Sequence, residues 1–191
     1  MRVNRVQTPP TQVLGVVILL LVAVACGKSL NAFLLTVPLT PSEATLNDFT
    51  TGALQDPSAF DVVGGQTVRV DQTNQWDFLF RVANGVGEFV PFSVLADSVT
   101  EAGLIRSSDA FEGILEAPRD GYEGDNAIPI AEGDVILARS RRNRTQILIC
   151  NQFLKLEVLD IDLVARTVTF RYLRNPNCGD TVLAPGEHGS L

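Results

Sequence analysis

The sequence predicts an all-β domain of antiparallel sheets, sandwich-like or strongly curved, with one short helix. Three observations predict it. Trp76, Phe78, Phe80 and Val82 occupy one parity while Asp77 and Arg81 occupy the other, the period-two alternation of a strand with one buried face. Leu154, Leu156 and Val158 form a second such row and Val168, Phe170 and Tyr172 a third. The two rows lie either side of a turn near 162–165, so they face each other across a hairpin. Helical spacing is confined to one short segment, 109–117.

Taken in order, strand patterning starts near Val62, and Thr67-Val68-Arg69-Val70 alternates ahead of the 76–82 strand. The apolar stretch 88–95 contains Pro91, which cannot donate to a ladder and so points to an edge or a bulge. Asp109 and Glu112 fit a capping box, and Phe111, Ile114 and Leu115 share a helical face. These predict a short helix over 109–117, ended by Pro118. Gly, Pro, Asp and Asn dominate 118–133, which reads as a long loop, and strands resume at 134–140, 145–150, 152–161 and 166–174. Counting outward from the last turn brings Cys150 opposite Cys178, so a disulfide there staples the base of the hairpin. Closing a loop of 27 residues is worth roughly 3–4 kcal/mol in the chain-entropy picture.

The chain has 191 residues, 46% hydrophobic and 19% charged, which fits one globular domain and excludes a disordered chain. Its 22 acidic residues against 15 basic give a net charge of −7, which argues against nucleic acid as a partner. One His, one Met and three Cys leave few general bases or soft metal ligands, so neither a catalytic constellation nor a metal site is expected.

The N-terminus carries Arg2 and Arg5, an apolar run over 13–25, and then Cys26 followed by Gly27 and Lys28. As a helix that run spans roughly 20 Å, short of the ~30 Å hydrocarbon core, so a cleaved secretion leader over 1–25 is expected. Ala23-Val24-Ala25-Cys26 resembles a bacterial lipobox, which makes Cys26 the lipidated first residue of the mature chain. Cleavage there removes two arginines and takes the net charge from −7 to −9. Cys150 and Cys178 then remain as an even pair in a disulfide-permissive compartment, and they are expected to be bonded. Residues 26–58, with Pro38, Pro41 and Pro57 among Thr, Ser and Asn, read as a lipid-anchored tether in which 32–37 can pack onto the domain. The domain itself is expected over 59–180 and a flexible tail over 181–191.

Several segments in series resemble the HmuY-like family of bacterial haem-binding lipoproteins. Ala59-Phe60-Asp61, Trp76-Asp77-Phe78-Leu79-Phe80 and Asn84-Gly85 look like its Trp-Asp-x-x-Phe strand and Asn-Gly turn. Phe111, Ala117-Pro118, Gly121-Tyr122 and Asp125 resemble its linking segment, and 134–138, Phe153-Leu154-Lys155-Leu156 and 167–172 its C-terminal strands. The resemblance covers about 60–174 and implies an all-β, envelope-attached binding protein that holds haem between two axial His or Met side chains. The only His here is His188 and the only Met is Met1, lost with the leader, so no cofactor is expected through that ligation. Tyr122 and Tyr172 are the remaining oxygen ligands for a haem iron. By resemblance, the lack of Asp at position 27 favours the outer membrane.

The most unusual local feature is four guanidiniums within six residues: Arg139, Arg141, Arg142 and Arg144. Two readings stand. They meet lipid phosphates or an acidic partner through bidentate contacts, or they form a solvated turn compensated by the acidic stretch 109–134, which holds eight carboxylates and Arg119. Asp120, Glu123 and Asp125 lack the spacing of a calcium loop and read as a solvated turn. Trp76 reads as core, on the face of Phe78 and Phe80, and Asp77 faces away from them. The expected partners are the membrane, through the anchor, and a small hydrophobic ligand or a membrane protein complex.

Overall fold

The computed structural model describes residues 34–51, 55–96, 100–144 and 149–187. The leader, Cys26, His188 and the Arg144 side chain lie outside them. In chain order the elements are β1 (Ser42–Asn47), β2 (Ala59–Asp61), β3 (Gln66–Val68), β4 (Phe78–Ala83), β5 (Val86–Pro91) and helix α1 (Phe92–Ala96). They continue with β6 (Gly103–Ser107), a single 3-10 turn (Phe111–Gly113), β7 (Ile128–Pro129), β8 (Val135–Arg139), β9 (Asn143–Arg144), β10 (Ile149–Cys150), β11 (Phe153–Asp162) and β12 (Thr167–Arg174).

Two five-stranded antiparallel sheets form, in the orders β1-β12-β11-β8-β6 and β3-β2-β4-β5-β7, with β9 and β10 as a separate ribbon. Phe60, Phe78, Phe80 and Phe89 from one sheet meet Phe170, Leu154, Leu156, Val158 and Ile136 from the other in one buried core. Phe78 and Phe89 stand 5.0 Å apart edge to face, and Phe89 and Phe170 5.8 Å apart. The expected hairpin is present: Leu156 pairs with Tyr172 and Val158 with Phe170, with a register shift between Val158 and Asp160. Asn84 and Gly85 both have positive φ, 52° and 78°, as a two-residue hairpin turn matched to strand twist requires.

Several expectations are corrected. The helix over 109–117 is one 3-10 turn, and the Ala110 cap makes no side-chain bond. Lys155, buried on β11, donates to the carbonyls of Phe111 (2.9 Å) and Ile114 (2.7 Å), fixing the segment as a cover over the outer face of its sheet. The α-helix instead follows Pro91, inside the stretch expected to be edge or bulge. Trp76 precedes β4 and leaves its parity, packing 4.5 Å from Phe92 with Leu79 and Val90 on the face opposite Phe78. Both faces of β4 are therefore buried, where one was expected.

The expected tether contributes β1, which pairs Ala44 with Phe170 and Leu46 with Val168, and Val37, which is fully buried. The expected tail is tied down through 187. Leu183 is fully buried, the Ala117 N–H donates to the Thr181 carbonyl (2.8 Å), and the Val37 N–H donates to the Glu187 carbonyl (3.0 Å). Val37 and Leu183 join Phe111, Ile114, Leu137, Phe153 and Leu173 in a second cluster. Strand β6 lies in a segment with no strand expectation. Leu104 enters the inner core while Ile105 packs against the second cluster, and a Cβ at Gly103 would stand 2.8 Å from the Cβ of Tyr122. Among the described residues no helix is long and apolar enough to cross a membrane.

At the far end of the β11–β12 hairpin, buried Asp48 accepts the N–H groups of Thr50 and Val82 (both 3.1 Å) and Arg166 Nε (2.7 Å). Burial pushes its carboxyl up, but the Thr50 N–H, the Thr51 and Thr50 hydroxyls and the Val82 N–H outweigh this and hold it at about 2. The native state thus releases this proton more readily than the unfolded chain. Its contribution, about 2 kcal/mol, is full above the ordinary value of 3.8 and is lost as pH falls toward 2.

Two outcomes are expected in urea denaturation. Phe170→Ala costs about 3–5 kcal/mol, while Val164→Ala, at a side chain 95% exposed, changes stability by less than about 0.5 kcal/mol. Asp48→Asn removes the part of the acid destabilisation that Asp48 supplies between about pH 4 and pH 2.

Candidate functional site

The arginine run begins where β8 leaves its sheet. Ser140 is fully buried; its hydroxyl donates to the Arg141 carbonyl (2.7 Å) and accepts the Gln152 N–H (2.9 Å), so the backbone here has a fixed course. Beyond it the side chains diverge. Arg141 turns inward, with its guanidinium 3.0 Å from Asp77 and 3.0 Å from Asp61. Asp77 also accepts the N–H groups of Arg141 (2.6 Å) and Val62 (2.7 Å). Burial pushes the Asp77 carboxyl up to about 6, against the pull of the Arg141 guanidinium and those two N–H groups. At neutral pH it is ionised and the pair is intact.

Arg139 and Arg142 remain outside. Arg139 donates through Nε to the Glu101 carbonyl (2.8 Å) and through Nη1 to the Arg119 carbonyl (3.1 Å), and its guanidinium lies 4.9 Å over the Tyr122 ring. Arg142 reaches the Glu101 carboxylate at 2.5 Å. Among the described residues Arg119 reaches the Gly179 carbonyl, at 3.4 Å. Glu101, Arg119, Asp120, Arg139 and Arg142 line an open cleft of 390 Å³, together with Cys150, Asn151, Phe153 and Gly179. Among the described residues neither Arg119 nor Arg139 is paired with a carboxylate. Arg139 is held by two backbone carbonyls, so its charge is positioned without being neutralised, while Arg119 extends beside it with one long carbonyl contact.

Cys150 and Cys178 are bonded, with Cα atoms 5.6 Å apart, just beyond the base of the β11–β12 hairpin. The bond ties the β9–β10 ribbon, and the cleft lining at Cys150, to the segment after β12. A larger depression of 480 Å³ beside β3 is lined by Pro57, Gln66, Thr67 and Thr73. Its arginine, Arg69, is already paired with Asp71.

The structure thus divides the predicted patch. Arg139 and Arg142 share the cleft, Arg141 belongs to a buried ion pair, and the Arg144 side chain lies outside the described residues. The carboxylates that compensate Arg141 and Arg142 are Asp61, Asp77 and Glu101, none of them in the acidic stretch 109–134. From that stretch Glu112 pairs with Arg171 and Asp134 with Arg106. Arg119 was missed as a site residue; its signal was being the one basic residue in that stretch. Glu101, 38 residues before Arg139, left no signal. Glu123 accepts the N–H groups of Asp125 (2.7 Å) and Asn126 (3.1 Å), closing the acidic loop on itself. Among the described residues no three His, Cys, Asp or Glu groups are placed to hold a metal ion. A scan against protein-family models gives no match, and no curated protein matches the chain.

Asp77→Ala takes the acceptor from the buried N–H groups of Val62 and Arg141 and leaves the Arg141 guanidinium with Asp61 alone, so it is expected to cost about 3–5 kcal/mol in urea denaturation. Arg142→Ala, at a side chain 64% exposed, is expected to change stability by less than about 0.5 kcal/mol. The pH dependence has the opposite sign to that of Asp48. Because the folded Asp77 carboxyl is raised above 3.8, its contribution is full below that pH and is lost as pH rises through 6. Melts between about pH 4 and pH 7 check this, and Asp77→Asn is expected to remove that loss.

Proposed function

We propose that the chain is a non-enzymatic cell-envelope lipoprotein, anchored through Cys26, whose HmuY-like β domain binds a ligand or partner. The cleft of Arg119, Arg139 and Arg142 is its anion-binding site. One observation carries the binding role: the Arg139 guanidinium is positioned by two carbonyls and an aromatic ring in an open cleft shared with Arg119, and among the described residues neither carries a carboxylate. A guanidinium fork held in one geometry loses little entropy on meeting a carboxylate or phosphate. The anchor is supported by the leader pattern ahead of Cys26 and by the engagement of Cys150 and Cys178 with each other, which leaves Cys26 as the remaining thiol.

Haem, the ligand that the resemblance implies, is disfavoured by the two tyrosines. The Tyr172 hydroxyl donates to the Gly65 carbonyl (2.7 Å), and the Tyr122 hydroxyl is buried without a partner among the described residues.

The second reading is an accessory subunit docked on the periplasmic face of a membrane complex. It is favoured by exposed Phe49, Val86, Leu163 and Val164 at the end of the sandwich away from the cleft.

Intact mass and native purification of the tagged full-length protein test both. The expected chain begins at Cys26 and carries acyl groups, and Cys26→Ser accumulates the unprocessed precursor. A wild-type chain that keeps residues 1–25 without acyl mass would refute the anchor. Elution at fixed stoichiometry with other membrane subunits would favour the accessory role, and elution alone the ligand binder.

A further inference from the structure

We infer that the Arg119–Arg139–Arg142 cleft docks on phosphate groups of the bilayer that holds the anchor, so that the domain rests on the headgroup layer with its disulfide end down. The inference rests on the lipoprotein reading above, and four observations lead to it.

The first is where the chain joins the domain. The Leu35 N–H donates to Asn177 Oδ1 and Asn177 Nδ2 donates to the Leu35 carbonyl, both at 2.7 Å. Asn177 adjoins Cys178, which is bonded to Cys150 in the cleft lining. The N-terminal segment therefore meets the domain at the cleft end of the sandwich. The second is length. Residues 27–34 separate Cys26 from Leu35, and fully extended they span at most roughly 30 Å. A domain on so short a leash stays beside the bilayer, and the end facing it is the end bearing the cleft.

The third is charge. With a net charge of −9 once residues 1–25 are removed, most of the protein is repelled by an anionic surface. The cleft lining inverts that balance locally, with three guanidiniums against Glu101 and Asp120, and Glu101 is already on Arg142. Lys28 adds a positive charge between anchor and domain. The fourth is apolar exposure at the same end. Leu35 is 61% exposed and Ile149, next to Cys150, is 63% exposed, a pairing of aliphatic and arginine side chains suited to the interfacial layer. An open cleft also suits a phosphate presented by a surface better than a free ion, which gains from enclosure.

A lipid-anchored protein of this kind gains a second point of attachment, which a single acyl chain needs for stable binding. The consequence is orientation: the β11–β12 hairpin turn points away from the membrane.

The test uses the full acylated chain in nanodiscs of phosphatidylcholine with and without phosphatidylglycerol, read by amide hydrogen exchange at 119–122, 139–142 and 149–151. Each arginine at an anionic surface is worth roughly a fivefold factor, so exchange there is expected to slow by at least about fivefold with phosphatidylglycerol. The slowing is expected to vanish at about 0.5 M salt, where screening shortens to a few ångströms. Arg119→Gln with Arg142→Gln is expected to abolish it with the melting temperature unchanged, since neither side chain supports the core. Equal exchange in the two nanodiscs would overturn the inference. So would protection by millimolar inorganic phosphate in detergent without any effect of phosphatidylglycerol, which would make the cleft a site for the free ion. Intact mass separates the two levels. An acylated chain without lipid-dependent protection sinks the docking site and keeps the anchor; an unacylated chain that is still protected does the reverse.

Discussion

The arrangement depends on one buried carboxylate. Asp77 lies just before β4, where its own N–H donates to the Phe60 carbonyl and its carbonyl accepts the Phe92 N–H, both at 2.9 Å. Its backbone thus joins β2 to the start of α1 in one sheet, while its side chain reaches across to Arg141, which follows β8 of the other. A carboxylate so buried is tolerable only with donors on it, and it has three: the N–H groups of Val62 and Arg141 and the Arg141 guanidinium. The cleft follows from this. By drawing Arg141 inward, Asp77 removes one guanidinium from the run and leaves Arg139 and Arg142 to the outside.

Asp48 does the corresponding work at the other end, where it ties the end of β1 to Val82 of β4 and to Arg166 in the β11–β12 turn. Between these polar ties lies a core of phenylalanines and branched aliphatics, whose attraction is strong but has no preferred register. The directional bonds at the two ends supply the register. They differ in protonation because their surroundings differ: Asp48 has hydroxyl and N–H donors enough to outweigh burial, whereas at Asp77 burial and the neighbouring charge of Asp61 prevail.

The hairpin was legible in the sequence because both strands keep strict alternation, and the position of the disulfide followed from counting along it. Trp76 was misplaced because parity was extended across a residue outside the strand; Asp77 lies between Trp76 and β4, its backbone bonded to other segments. The helix at 109–117 had the right spacing, yet Lys155, 41 residues beyond Ile114, holds the segment as a cover, and no local pattern encodes that. β1 looked like a tether because its polar residues face out and only Leu46 is fully buried. Val37 and Leu183 lie in short apolar stretches broken by Thr and Pro, too brief to show a strand or helix period, so their burial depends on a sheet face built from distant strands. The cleft was half legible. Arg139 and Arg142 stood out by density, but density alone could not say that Arg141 was already paired or that Arg119 would join them.

The arginine cleft and the exposed apolar tip, the two surfaces on which the proposed readings rest, lie at opposite ends of the same hairpin. β11 has ten residues, so at about 3.3 Å each its ends lie roughly 30 Å apart. At one end are the cleft, the disulfide and the point where the N-terminal segment joins. At the other, Phe49, Val86, Leu163 and Val164 are exposed on three neighbouring turns, held together by Asp48 and Arg166. A headgroup-docked cleft and a subunit-docked tip are therefore compatible in one orientation. Inverting the domain would set its apolar tip against the headgroups and turn the arginines toward the solvent. It would also require residues 27–34 to cover the full length of the hairpin. On the proposed anchor at Cys26, the short leash would select which end meets the membrane and leave the apolar tip for a protein partner.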